Sequence, residues 1–160
     1  MRATLIKVTT IIALGISFST TAADLPTRHI LTLQAAKQVI AAAEAEAGQK
    51  GWPCVVAVTD GAGYLIALDR MDESPMLASV ELAPAKARTA ALFRKPSKAL
   101  EDAVHAGRVA AVTAGFVEMA GGLPLTVNGE IVGAIGVSSA QPDWDVQIAT
   151  AGAAALAGKP

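Results

Sequence analysis

The sequence is poor in the residues that usually form metal sites and disulfides. Its 160 residues include one cysteine, two histidines and only 4% aromatic residues. A single cysteine, Cys54, cannot form a disulfide within the chain, and because it begins an apolar run we expect it to be a buried small hydrophobic residue. Two histidines and one cysteine are too few to predict a zinc-type metal cage.

An excess of charge of one sign is also missing. The formal net charge is −1, and Lys and Arg form no cluster. A nucleic-acid-binding surface needs clustered cations to neutralise phosphates, and a polybasic membrane patch needs them for the same reason. The composition therefore excludes both classes of partner.

The first 23 residues differ from the rest of the chain. Arg2 and Lys7 precede a short apolar run over 11–18, and small residues follow it. The run is shorter than the ~20 residues that span a bilayer. This pattern predicts a secretory signal peptide over 1–23. Residues 24–160 are then a single periplasmic or secreted domain with no membrane span after cleavage.

Helical periodicity predicts four helices. Thr32 is a candidate cap for the first, and Ser97 for the third. Pro84 lies inside the second pattern, where it either opens a new helix or kinks one long helix. The predicted helices cover residues 32–47, 77–93 and 97–104 and a segment that starts at 142.

Two β-hairpins are predicted between these helices. The first joins 54–58 to 64–68 through a turn at Asp60-Gly61, and the second joins 123–127 to 130–137 through Asn128-Gly129. Residues 105–116 are expected to form a loop with one more turn of helix, and an extra strand is expected near 112–119. The fold class is α+β, an antiparallel sheet of about five strands with helices packed on it, as in profilin-like and PAS-like folds.

Several segments together resemble the GlcG/HbpS family, which also supplies the C-terminal domain of PduO-type proteins. The resemblance implies a haem-binding or haem-degrading domain that forms homo-oligomers. The segments that carry it, in the family's order, are Leu31–Leu33, Val56–Gly63, Arg70–Asp72, Ala85–Ala90, Gly121–Leu125 and Gly129–Ser138.

Haem iron takes His, Cys, Met or Tyr as its axial ligand. His29, just before the first helix, is the first candidate, and His105 is the second. Tyr64, Met71 and Met76 are poorer candidates, because methionine is more often a core residue. For each histidine the alternative is a solvated surface side chain.

Lys86 is the leading candidate for binding the acidic end of a ligand. With Thr89 on the same helix face, it would pair a haem propionate or a small organic acid. The alternative is a surface lysine, or one paired with a structural acid. Backbone amides at Gly121 and Gly122 would also hold an anion, although these glycines equally suit a turn.

Asp60 has three candidate roles: it accepts a proton, pairs with Lys86, or makes a local turn over Gly61. Three functions are open at this point. The first, which the family resemblance implies, is an exported protein that binds haem or a related tetrapyrrole. The second is a cofactor-free enzyme that acts on a small carboxylate or carbonyl compound through Lys86 and Asp60. The third is an accessory subunit of an exported redox enzyme.

Overall fold

The fold is a four-stranded antiparallel sheet with helices on both faces. A computed structural model of the chain describes residues 23–157. The elements are α1 (Leu33–Lys50), β1 (Val55–Asp60), β2 (Leu65–Arg70), α2 (Ser79–Phe93), α3 (Lys98–His105), a 3-10 helix (Val109–Ala114), β3 (Gly122–Val127), β4 (Glu130–Ser138) and α4 (Pro142–Ala157). The predicted signal peptide lies outside the described residues except for Ala23. Between residues 23 and 157, no helix is both long and apolar enough to cross a membrane.

The strand order in the sheet is β2-β1-β4-β3. The two predicted hairpins, β1–β2 and β3–β4, are confirmed, and β1 pairs with β4 at the centre. Asn128 and Gly129 have φ values of +50° and +80°, the left-handed conformation that a type I′ turn requires at both central positions. The α+β fold class is thereby confirmed.

The expected fifth strand over 112–119 is wrong. Val109–Ala114 form a 3-10 helix, and residues 115–119 pair with no strand of the described chain. Gly115 has a φ of +75°, which interrupts an extended backbone. Val112 is 59% exposed, so this segment buries no apolar face against a neighbouring strand.

The larger core lies between the sheet and the helices α1 and α4. Alternate residues of the central strands point to this side, among them Val56, Val58, Ile135 and Val137, and they are fully buried. Ile148 of α4 packs into the same cluster. Val55 and Ala57 are equally buried on the opposite face, as expected for a strand that is covered on both sides.

The second face of the sheet is covered by α2. Pro84 lies inside this helix, which is one continuous element rather than two. A Cβ at Gly136 of β4 would stand 3.0 Å from the Ala87 Cβ and closer still to the backbone of α2. The glycine thus allows the helix to approach the sheet closely, which places the α2 residue next to Ala87, Lys86, against the end of β4.

The two predicted helix caps have different outcomes. The Thr32 hydroxyl accepts the Ala35 N–H at 3.2 Å and caps α1 as predicted. The prediction for Ser97 is wrong, because its side chain makes no capping bond. The buried Ser97 hydroxyl instead accepts the Gly122 N–H at 2.8 Å and donates to the Met119 carbonyl at 2.6 Å. These tertiary hydrogen bonds take the place of the local capping bond.

Candidate functional site

A buried ion pair joins α2 to α4. The Lys86 ammonium donates to Asp145 Oδ2 at 2.7 Å and to the Val137 carbonyl at 3.1 Å. Lys86 is 2% exposed and Asp145 3%. A lysine and a carboxylate removed from water lose their hydration, so their mutual contact and further hydrogen bonds have to compensate for that loss.

Asp145 is also held by two donors of Ser139. Its Oδ1 accepts the backbone N–H and the hydroxyl of Ser139, each at 2.6 Å. Burial nevertheless raises the pKa of Asp145 above its ordinary value, because desolvation disfavours the carboxylate more than the Lys86 ammonium and the Ser139 donors favour it. Ser139 follows β4 directly and Asp145 lies in the first turn of α4. The hydrogen bonds between Ser139 and Asp145 therefore connect the end of the strand to the start of the helix.

The backbone bend at Gly121 and Gly122 packs directly on the Lys86–Asp145 ion pair. Gly121 has a φ of +110°, and a Cβ there would meet the Asp145 Cβ at 2.7 Å and the Lys86 Nζ at 3.4 Å. The Gly122 N–H is bonded to Ser97. The structure therefore brings Gly121 and Gly122 close to Lys86, but it uses the Gly122 amide within the fold.

Thr89 does not join Lys86 in a ligand site. Its hydroxyl donates to the Ala85 carbonyl at 3.0 Å, one helical turn back, and its side chain is buried. The interval of three residues places Thr89 near Lys86 along α2, but its hydrogen bond is to its own helix.

Asp60 lies away from Lys86. Its Oδ1 accepts the N–H groups of Ala62 and Tyr64, each at 2.9 Å, which is the local turn that the sequence also allowed. Asp60 is opposite Gly133 in the sheet, four residues along β4 from the carbonyl that holds Lys86, or about 13 Å at the usual rise of a strand. The alternative in which Asp60 pairs with Lys86 is thus wrong, and Asp145 is the partner of Lys86 instead.

A cavity of about 190 Å³ opens beside the ion pair. The Lys86 and Asp145 side chains form part of its wall, and Glu101 contributes a second carboxylate. Met76, Met119 and Ala120 supply apolar surface from the segments before α2 and β3. Its remaining lining residues are Ser139, Ala140, Gln141 and Pro142.

A second, more open cleft of about 370 Å³ surrounds His29. Nδ1 of His29 is 2.7 Å from Glu130 Oε2, and the side chain is 60% exposed. The hydrogen bond from His29 lowers the pKa of Glu130, which keeps that carboxylate ionised. The cleft is lined by Arg28, His29, Ile30, Leu31, Asp60, Gly61, Ala62, Arg94, Glu130, Ile131 and Val132.

The two sites lie at opposite ends of β4. Glu130 begins the strand, and Val137, which holds Lys86, lies seven residues later. At about 3.3 Å per residue this separates them by roughly 23 Å. A ligand in one site does not contact the other.

The other candidate ligands lie outside both sites, apart from Met76. His105 ends α3 and lines a separate cavity with Val112 and Phe116. Tyr64 is 74% exposed in the β1–β2 turn. Met71 is within 3.7 Å of the Cys54 sulfur, and Cys54 is fully buried, as predicted. Among residues 23–157, no three His, Cys, Asp or Glu side chains are grouped so as to hold a metal ion.

Reasoning from the sequence assigned neither Glu130 nor Asp145 to a site. Asp145 contacts a lysine 59 positions earlier, and Glu130 contacts a histidine 101 positions earlier. The sequence signal for Asp145 was a second acid in the first turn of α4, beyond the one the helix dipole needs. For Glu130 it was a carboxylate directly after the Asn-Gly turn.

The chain is similar to proteins of one family. A family model described as "Haem degrading protein HbpS-like" matches residues 31–154. Protein GlcG of Escherichia coli is 44% identical over 113 residues, which cover 70% of this chain and 84% of GlcG.

Solved structures that are similar to this chain include proteins of the same family. The structure of a PduOC:heme complex has 30% sequence identity and a TM-score of 0.72, and the match covers 80% of this chain and 96% of that one. A double mutant of Streptomyces reticuli HbpS has 32% identity and a TM-score of 0.76, with 90% and 99% of the two chains covered.

Proposed function

The chain belongs to the HbpS-like family, as the resemblance predicted, and from this premise we propose that it binds haem or a related tetrapyrrole in the cleft beside His29. A relative with a solved heme complex supports this choice of ligand. The observation that carries the proposal is the contact between His29 and Glu130.

The sizes of the two sites favour the cleft. Pockets that enclose a drug-sized ligand have volumes of ~300–1,000 Å³. The cavity at Lys86, at about 190 Å³, is too small for a four-ring macrocycle. The cleft has about 370 Å³ and is open to solvent, so a flat ligand would lie partly outside it.

The His29–Glu130 contact prepares the imidazole for an iron. In the tautomer in which the ionised Glu130 accepts the proton of Nδ1, Nε2 keeps its lone pair for an iron. Histidines that ligate metals commonly donate their other N–H to a carboxylate in this way, which fixes the tautomer and raises the basicity of the ligating nitrogen.

The remaining lining matches the other parts of haem. Arg28 and Arg94 supply guanidinium groups for propionates, and Ile30 and Ile131 supply aliphatic surface for the ring. Arg94 ends α2 in the left-handed conformation common at helix C-termini, with a φ of +56°, at the edge of the cleft. When bound, haem would supply an iron centre for ligand or redox chemistry.

Export and self-association belong to the same proposal. The leader over 1–23 supports export to the periplasm or medium. Tyr64 in the β1–β2 turn is 74% exposed, Leu65 on the edge strand β2 is 55% exposed, and Leu92 of α2 is 39% exposed. Exposed apolar side chains of this size support a homo-oligomer in which a second copy covers them, and light scattering on the purified protein tests its mass.

The test is a haemin titration followed by absorbance. We expect a Soret band that saturates with the wild-type protein. His29→Ala removes the ligating nitrogen, so the band should shift and the affinity should fall. Glu130→Gln keeps the size of the side chain but removes the charge, and loss of such a carboxylate typically costs ~10–100-fold in metal affinity.

The matched control is His105→Ala, which removes the other histidine at a site remote from the cleft. This variant should bind haemin with the spectrum of the wild type. The proposal fails if the wild type gives no Soret shift, or if His29→Ala leaves the spectrum and the affinity unchanged.

A further inference from the structure

We propose that the cavity beside the Lys86–Asp145 pair is a second binding site, for a small molecule of no net charge that carries a carbonyl or hydroxyl oxygen. This site is separate from the His29 cleft because the two lie at opposite ends of β4. It therefore stands whether or not haem binds.

The wall of the cavity contains a donor with unused capacity. A lysine ammonium has three N–H groups. Among the described residues, Lys86 Nζ has two acceptors, Asp145 Oδ2 and the Val137 carbonyl. The third N–H is available to an acceptor in the cavity. Asp145 is in turn fixed by Ser139, so the ammonium is held in one position for a ligand.

The charges on the lining decide the class of ligand. Lys86 contributes one positive charge, and Asp145 and Glu101 contribute two negative ones, so the lining carries a net charge of −1. An anionic ligand meets the uncompensated Glu101 carboxylate, whose Oε2 accepts the Ala120 N–H at 3.0 Å. An ammonium ligand has no acceptor to offer Lys86. An uncharged ligand with an oxygen acceptor satisfies the lysine at no electrostatic cost.

The size and the apolar lining narrow the class further. A volume of about 190 Å³ corresponds to roughly six water molecules at their share of the liquid. Met76 and Met119 offer flexible apolar surface that adapts to a short aliphatic chain. The ligand is therefore a short-chain ketone, aldehyde, amide or alcohol.

The experiment compares ligands of one shape and different charge. Propionamide and propionate have the same number of heavy atoms, and propylammonium supplies the opposite charge. Each is titrated into the 15N-labelled protein, and backbone amide shifts are followed. We expect propionamide to shift amides around the cavity, those of Ala120 and Ser139 among them, and to bind at least about fivefold more tightly than propionate.

Two variants test the reasoning without disturbing the ion pair. Glu101→Gln removes the uncompensated charge and keeps an oxygen acceptor for the Ala120 N–H, so propionate affinity should rise to about that of propionamide. Ala140→Phe adds a ring at an exposed position of the lining, and it should abolish propionamide binding while leaving the haemin spectrum unchanged.

Several results would overturn the proposal. If none of the three compounds shifts amides around the cavity, the cavity is not a site. If propionate or propylammonium binds more tightly than propionamide to the wild type, the assigned ligand class is wrong. If Ala140→Phe leaves propionamide affinity unchanged, the compound binds elsewhere.

Discussion

Replacing Lys86 with methionine should destabilise the protein strongly. Lys86→Met preserves much of the side-chain volume but leaves Asp145 as a buried carboxylate without its cation. The two side chains are only 2% and 4% exposed and their charged atoms are 2.7 Å apart. Breaking a buried pair by removing one partner costs ~3–5 kcal/mol. For a domain of this size, about 4 °C of Tm per kcal/mol gives a fall of roughly 12–20 °C.

A double variant separates the charge effect from the loss of packing. Asp145→Asn keeps an oxygen that accepts the Ser139 N–H and hydroxyl, so only the charge is lost. In Lys86→Met/Asp145→Asn no charge remains buried. We therefore expect the double variant to lose at least ~2 kcal/mol less than the sum of the two single variants, which is the size of coupling typical of contacting residues.

The assay is urea unfolding followed by circular dichroism, with the free energy of unfolding extrapolated to water. Asp60→Asn is the control, because Asn retains the acceptor for the Ala62 and Tyr64 N–H groups, and it should stay within ~0.5 kcal/mol of wild type. A cost below ~1 kcal/mol for Lys86→Met, or strict additivity in the double variant, would refute the reasoning.

Three further predictions test the packing, the thiol and the leader. Gly136→Ala should lower the free energy of unfolding in urea by ~1–3 kcal/mol, because the added Cβ would collide with α2. Gly48→Ala is the control: a Cβ at Gly48 has nothing within 4 Å, so this variant should stabilise α1 by ~0.5–1 kcal/mol. Equal effects of the two substitutions would contradict this reasoning. Burial raises the pKa of Cys54 to about 12, so at pH 8 a thiol reagent should label the native protein ~1,000-fold more slowly than the urea-unfolded chain, and fast native labelling would refute it. Mass spectrometry of the exported protein should show cleavage after Ala23, and an intact leader would refute the prediction of a cleaved signal peptide.

The hairpins and α1 could be predicted because their signals are local. Asn128-Gly129 between two runs of β-forming residues specifies a turn by its own backbone preferences. Thr32 caps α1 through a hydrogen bond that spans three residues. The buried strand at 55–58 is readable from its unbroken apolar run, which only a doubly covered strand requires.

The errors arose where a distant contact replaced a local one. Ser97 has the residue type of a helix cap, but the Gly122 N–H, 25 positions away, takes its hydroxyl. The segment over 112–119 has β-forming residues, yet Gly115 and the absence of a partner strand in the described chain leave it outside the sheet. Local propensity does not specify which segments meet.

The sequence by itself determined the order of hairpins and helices and the family. The tertiary structure alone decided that Asp145, not Asp60, is the partner of Lys86, and that Glu130 holds His29. The physical reason is that helix and strand periods follow from neighbouring residues, whereas an ion pair follows from where the sheet brings two distant segments together. Pairing, burial and cavity volume are properties of that assembly.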